Sequence, residues 1–290
     1  MNPDRIYSQY RDDALADQVA AGEYGIFVAM PFHEHFSYRS MDILENVIKP
    51  SAVKANDIRG NRTRKAFGVP FRADDAPNVA RPITEDVIRS IIETHIFLAD
   101  LTFMNAGVLV ELGVALGMKP NNQIVLIMQG KPEELHFDIK DVNVYRYNNA
   151  RVDEAIGTVA EALIAAGHHY DEVEDRFIRR VGERMSPDEF MFLAFYADIQ
   201  KDHANKPDVP SLNYNAVKFC QDHDQTGNFK DFGQRFLWTI PELLRKKLMW
   251  NQMLPDTDQY GLHATKLGWR VIKHYFPTRF QGVPERVLQE

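Results

Sequence analysis

Residues 95–115 read HIFLADLTFMNAGVLVELGVA. Ile96-Phe97-Leu98-Ala99 is a short apolar run, the pattern of a strand buried on both faces. It closes on a carboxylate, Asp100, and Leu101-Thr102 leads into a loop. Asn105 then stands as a helix N-cap ahead of Val108, Leu109, Leu112, Val114 and Ala115. Glu111 falls about a turn and a half into that helix. Asp100 is thus predicted at the carboxyl end of a strand, with Glu111 on the helix that follows. Open α/β sheets bind ligands at that edge, and a helix N-terminus there favours an anionic one.

Outward from this stretch, strand and helix alternate. Tyr24–Met30 is a predicted first strand, closed by Pro31, which has no N–H to give. A helix begins near Ser40 with Met41, Leu44, Val47 and Ile48 on one face, and Pro50 either ends it or kinks it before it runs on to about Lys54. Residues 57–65 are charged and read as a loop. Val69–Ala73 is a short strand running into Asp74-Asp75. Thr84 caps a helix that turns Val87, Ile88, Ile91 and Ile92 inward. Gln123–Met128 is another continuous apolar strand; Val142–Tyr147 is more alternating and so nearer an edge. A helix from Val152 to Ala166 ends at Gly167. The alternation implies an open parallel five-stranded sheet flanked by helices, flavodoxin-like in class.

After His168 the pattern changes. Residues 170–184 are highly charged and read as a linker helix. Ser186-Pro187-Asp188-Glu189 is a helix start, with Ser as N-cap, Pro at N1 and Glu at N3. Phe190, Phe192, Leu193, Phe195 and Tyr196 follow as core. A second helix is predicted over 213–222. A third runs from about 232 to 250, with Pro241 interrupting it or starting its second half. LMWNQMLPDTDQYGLHATKLGWRVIKHYF then reads as strand, turn, strand, helix. Helices closed by a hairpin and a helix resemble a winged-helix module. The chain therefore divides into a helical lead-in (1–23), an α/β domain (24–168) and a smaller, mainly helical, winged-helix-like module (169–290).

Composition narrows the function classes. The 290 residues are 44% hydrophobic and 26% charged, ordinary for a soluble globular chain. A net charge of -7 argues against bulk electrostatic binding to nucleic acid or anionic membrane. Cys220 is the only cysteine, which excludes an internal disulfide and suits a reducing cytoplasm. The polar N-terminus has no signal-peptide pattern, and no apolar run nears the roughly 20 residues of a membrane span.

Neither a Walker A motif nor a GxGxxG after the first strand is present, so kinase, P-loop and ordinary dinucleotide-oxidoreductase readings lose support. No cofactor or metal is expected: HExxH is absent, and His33-Glu34-His35 reads as a solvated loop. The carboxylates are more telling. Asp100, Glu111 and the pair Asp74-Asp75 all fall at or beyond carboxyl ends of predicted strands. Paired carboxylates in a partly dry cleft divide labour, which suits N-glycosidic cleavage. The plainer reading makes Asp100 a turn cap through Thr102 and Glu111 a solvated helix position; spacing alone favours it.

The run ADLTFMNAGVLVELGVALG resembles the signature of the nucleoside 2-deoxyribosyltransferase-like superfamily, related to bacterial TIR-type NAD-cleaving domains. FVAMPF, RADD and HFDIKDVNVYRYNN resemble the same group, in the same order, over about residues 24–165. The resemblance implies that Glu111 is the catalytic carboxylate. It implies that Asp100 and Asn105 shape the sugar site and loop, and that Met30, Pro31 and Phe32 line the pocket. Asp74, Asp75 and Thr102 complete the substrate-binding set. Two departures stand out. The usual Asn-Pro-Asn is here Asn105-Ala106-Gly107, and the aromatic before the Glu is Val110. Either alters substrate choice or marks a copy that binds without cleaving.

The expected ligand is therefore a nucleoside, nucleotide or NAD, with cleavage or transfer at its N-glycosidic bond. The resemblance also implies a homo-oligomer and a stress or phage-defence effector. The rivals are a non-enzymatic nucleotide sensor and a winged-helix transcription regulator. Arg245-Lys246-Lys247 is one small basic cluster, but the C-terminal module has no basic excess, so protein contact is favoured over nucleic acid.

Overall fold

Gly25 divides the first predicted strand in two. The computed structural model describes residues 13–31, 38–60, 65–72, 83–129, 143–203, 229–253 and 260–280. In it, β1 (Glu23–Tyr24) and β2 (Ile26–Ala29) take different neighbours. β1 pairs in parallel with β3 (Ala66–Phe67), and β2 pairs in parallel with β4 (Ile96–Asp100). The Gly25 carbonyl accepts the N–H groups of both His95 and Ile96. β5 (Ile124–Met128) and β6 (Val144–Arg146) complete a parallel sheet of order β2-β4-β5-β6. β6 lies at an edge, as its alternating sequence implies.

The strand predicted over 69–73 is present as a single parallel bridge between Phe71 and Phe27. Phe71 N–H donates to the Ile26 carbonyl at 3.1 Å, and Val28 N–H donates to the Phe71 carbonyl at 2.9 Å. Pro70 has no N–H, so the ladder begun at β3 cannot continue through it.

Helices cover both faces of the sheet. Ile26, Val28, Leu98, Val125 and Ile127 pack with Leu44, Val47, Val159 and Leu163 on one face. Phe27, Phe97, Ala99 and Leu126 pack with Val87, Ile91, Val108, Leu112 and Ala115 on the other. The first long helix is Ser40–Ile43, a π-helical segment Leu44–Ile48, and Lys49–Arg59. Pro50 therefore does not end it, and the helix runs past Lys54 to Arg59. The wider π turn ahead of Pro50 spares the clash its ring makes in a regular α-helix. Met41 lies 45% exposed rather than inward. The helix consumes the start of the predicted 57–65 loop and stops at Gly60, whose φ is 60°. Thr84 lies inside the helix Ile83–Glu93 rather than ahead of it, and Ile88 points outward.

Gly167 does not end its helix, which runs unbroken over Val152–Glu183. A Cβ at Gly167 would stand 2.6 Å from Arg59 Nη1 and 2.9 Å from the Phe67 ring. The glycine serves close approach, not termination.

Charge is buried at the amino ends of the strands. Lys65 Nζ donates to the Gln18 carbonyl at 2.6 Å and pairs with Glu174 at 3.0 Å, both side chains wholly enclosed. Arg59 pairs with Asp171 at 2.9 Å, and the Tyr24 hydroxyl donates to the same carboxylate. Gly25 N–H donates to His95 Nδ1 at 2.9 Å, which leaves Nε2 to carry the proton and donate to the Gln18 carbonyl at 2.8 Å. The imidazole is therefore neutral.

The chain divides into two compact units, Met1–Glu174 and Asp175–Glu290, so the division falls within the helix Val152–Glu183 and after His168-His169. In the second unit the capping box forms as its sequence predicts. Glu189 N–H donates to Ser186 Oγ at 3.2 Å, and Ser186 N–H to Glu189 Oε2 at 2.6 Å. The helix Pro187–His203 buries Phe192, Leu193, Phe195 and Tyr196. The helix Phe229–Arg245 holds Pro241 within it and stops short of Trp250. Lys247 there has φ 55°, with Leu248 N–H donating to the Leu243 carbonyl and Lys247 N–H to Leu244, a Schellman ending. β7 (Met249–Met253) and β8 (Tyr260–Ala264) form an antiparallel hairpin, followed by the helix Lys266–Tyr275. The helix predicted over 213–222 lies outside the described residues.

Removing one partner of an enclosed ion pair strands the other charge. Glu174→Ala is expected to lower stability by about 3–5 kcal/mol in urea unfolding. The double variant Lys65→Met, Glu174→Leu should lose far less. Equal losses in the two would show that the ion pair is not what the site depends on.

Candidate functional site

β4 delivers Asp100 to the carboxyl edge of the sheet, and there it is 0% exposed. Oδ1 accepts the Thr102 N–H at 3.0 Å and the Thr102 hydroxyl at 2.5 Å. Oδ2 accepts the hydroxyls of Tyr38 at 2.9 Å and Tyr147 at 2.6 Å. A further ring of contacts holds these donors. Gln129 N–H donates to Thr102 Oγ1 at 3.0 Å, and its side-chain amide donates to Tyr147 Oη at 3.1 Å. Burial raises the Asp100 pKa, against the pull of the hydrogen bonds from Thr102, Tyr147 and Tyr38. Burial, with the Asp100 charge beside them, also raises both tyrosines, so their hydroxyls stay protonated donors. With both oxygens filled, Asp100 acts on its surroundings through Tyr38, Tyr147 and Thr102.

The loop after β4 carries backbone strain. Phe103 has φ 62° and Met104 φ 48°, the left-handed region that side chains with a Cβ disfavour. Phe103 is half exposed, and its ring meets Tyr38 edge-on at 5.6 Å. Asn105 then caps the helix Ala106–Met118 as its sequence predicts: Oδ1 accepts Gly107 N–H at 2.9 Å and Val108 N–H at 3.3 Å.

Glu111 is half-buried on this helix. Burial pushes its carboxyl up to about 6, and the Arg72 charge pulls the other way. Arg72 follows the Phe71 bridge and is 3% exposed. Its Nη1 lies 3.6 Å from Met41 Sδ, and its charge also acts on the Tyr38 hydroxyl. Glu111 thus sits between dry surroundings, which favour its protonated form, and a cation, which favours the carboxylate. A carboxyl poised near 6 can serve as nucleophile or as proton donor.

Of the other predicted site residues, Met30 is buried in the core cluster that holds Tyr38, and Pro31 is buried beside it. Thr102 is buried against Asp100. Phe32, Asp74 and Asp75 lie outside the described residues, as do His33-Glu34-His35. Tyr38, Arg72, Gln129 and Tyr147 join the site without having been singled out from sequence. The motif RADD contains Arg72, and YRYNN contains Tyr147, but no spacing ties either to Asp100.

The chain matches no protein-family model, no curated protein and no solved structure. Among the described residues, no group of His, Cys, Asp and Glu could hold a metal ion. Nor is any helix among them long and apolar enough to cross a membrane. In the second unit, Arg245 pairs with Glu242 at 2.6 Å and Lys246 with Glu189 at 2.6 Å. Two cations of the 245–247 cluster therefore already face carboxylates.

Two outcomes follow from this geometry. Tyr147→Phe removes one donor from a buried carboxylate and should cost about 1–3 kcal/mol in urea unfolding. Glu111 gives a pH signature. Its folded value of about 6 exceeds the ordinary 4.5, so between them the folded chain holds more protons than the unfolded one. Wild type therefore loses stability as pH rises through that window, and Glu111→Gln does not. The melting temperature of Glu111→Gln, relative to wild type, should rise from pH 4 to pH 7; a flat or falling difference contradicts the assignment.

Proposed function

We propose that the first unit cleaves or transfers the N-glycosidic bond of a nucleoside, a nucleotide or NAD, with Glu111 as the catalytic carboxylate. The observation that carries this is Glu111 itself: half-buried, poised near 6, and opposed by a buried arginine at the carboxyl edge of a parallel sheet. The motif resemblance points to the same residue. In the first step a Glu111 oxygen bonds to the anomeric carbon as the C–N bond breaks. The bonding pair leaves with the base, which takes a proton from water or a neighbouring acid. Water or a second base then displaces Glu111 from the sugar. Asp100 acts on the sugar hydroxyls through Tyr38 and Tyr147, which it orients, and Asp74 or Asp75 assists in positioning the sugar.

The Phe71 bridge supports reading residues 69–73 as the fifth strand of a flavodoxin-like sheet. Helices closed by a hairpin and a helix support a winged-helix reading of the second unit. A homo-oligomer in the cytoplasm, acting as a stress or phage-defence effector, fits this reaction.

A second reading has its own support. The complete occupation of Asp100 by protein donors favours a nucleotide-binding sensor that does not cleave.

Incubation with a panel of nucleosides, nucleotides and NAD distinguishes the two. Base release is expected from wild type, and Glu111→Gln should slow it by more than roughly a hundredfold, about 3 kcal/mol in the barrier. Equal rates in the two would remove Glu111 from the reaction. Tight binding with no release would favour the sensor.

A further inference from the structure

We infer that the outer face of the helix Ala106–Met118 docks against the same face of a second copy of this chain, the two helices crossing at Gly113. This names a surface for the homo-oligomer proposed above, and it holds whether or not Glu111 is catalytic.

The sequence sets the question. AGVLVELGVALGM is 13 residues long, and Glu111 is its one charged side chain. A helix that is apolar on every side belongs inside a protein. Here only one side is inside. Val108, Leu112 and Ala115 pack on the sheet, while Ala106, Val110, Gly113 and Leu116 face water. Val110 is 68% exposed. The neighbouring helix Ile83–Glu93 covers the same sheet face and has an ordinary outer surface. Glu85, Arg89 and Glu93 are exposed there, and Glu85 pairs with Arg89 at 3.8 Å.

Gly113 sharpens the contrast. Glycine inside a helix is destabilising relative to alanine, so it needs a reason. Elsewhere the chain supplies one. A Cβ at Gly167 would strike Arg59 and Phe67, and one at Gly268 would stand 2.1 Å from the Leu248 carbonyl oxygen. A Cβ at Gly113 would meet nothing within 4 Å. The chain's own packing sets no limit at that point; the close approach of a helix from outside does.

Charge and shape choose the occupant. The chain carries a net charge of -7, so two copies repel each other over much of their surface. They meet most readily where carboxylates are absent, and none of the outward residues named on this helix is charged. A two-fold contact also requires a patch that complements itself. Gly113 lets the backbones close at the crossing, and Val110 and Leu116 fill the space on either side. The two helices of this layer are about 16 and 20 Å long and about 10 Å across, roughly 400 Å² in outline. A standard interface takes about 800 Å² of accessible surface from each partner. The layer thus supplies an apolar centre, with exposed Ile88 beside it, and Glu85, Arg89 and Glu93 form the polar rim such contacts have.

The test is the mass of the full chain in solution. Sedimentation velocity from about 1 to about 100 µM should show a particle of twice the 33.4 kDa of one chain. Val110→Asp and Gly113→Arg each place a charge at the crossing and should raise the dissociation constant at least about tenfold. Trp238→Ala removes a side chain that is 78% exposed in the second unit and should leave the mass unchanged. A wild type that stays single across the range overturns the proposal. A dimer that survives both charged variants also overturns it, and its dispersal by Trp238→Ala would move the contact to the second unit. Should neither charged variant fold, Gly113→Cys in a Cys220→Ser background decides. Oxidation should then join two chains through the crossing, and chains that stay single overturn the proposal. Base release is not among these readouts, so a dimer that cleaves nothing removes the N-glycosidic reading and leaves this one standing.

Discussion

A carboxylate with no exposure to water holds the carboxyl edge of the first unit together. Asp100 gathers Tyr38, which precedes the first long helix, Thr102 from its own loop, and Tyr147, which follows β6. These segments are far apart in sequence and meet only because the sheet brings their ends to one level. A lone carboxylate so enclosed would be severely destabilising; four charge-assisted donors, each worth about 1.5–3 kcal/mol, offset that. The groups gathered there are therefore tied to the end of β4. Glu111 is carried by a separate helix, so the two carboxyls are positioned by different elements.

The opposite end of the sheet follows the same logic with the signs mixed. Lys65, Glu174, Arg59 and Asp171 enclose charge beneath β1 and beside His95. Lys119 is also buried, donating to the Thr94 carbonyl, and burial alone brings it down to about 7. Between the two polar ends, the strands are apolar on both faces. Burial of apolar surface drives such a sheet together without specifying register. The enclosed charges at each end add direction, since each has few partners that satisfy it.

Local rules made parts of this legible in the sequence. The apolar run ending on Asp100 is a buried strand, Asn105 caps the next helix, and Ser186 with Glu189 forms a capping box. The closing hairpin and helix also fall where turn and period signals put them. What escaped depends on contacts across the chain. Gly167 looks like a helix end, yet it is needed because Arg59 and Phe67 crowd it from distant segments. Pro50 looks like a breaker until the π turn ahead of it is known. Arg72 reads as one more surface cation, because nothing near it in sequence reveals that Phe71 joins the sheet and carries it inside. Tyr38 sits in a polar stretch and Tyr147 at the end of a predicted edge strand, and neither position shows in sequence that both hydroxyls meet Asp100.

The left-handed pair Phe103-Met104 carries a consequence for any effort to improve this protein by heat selection. Each residue costs on the order of 1 kcal/mol that glycine would not. A screen that scores only survival at high temperature would therefore drift towards glycine or asparagine at these positions. It would do so by erasing the aromatic ring that meets Tyr38. Thermal robustness and the Phe103–Tyr38 ring contact are in competition at this one turn, and variants ranked by melting point alone would be ranked against that contact.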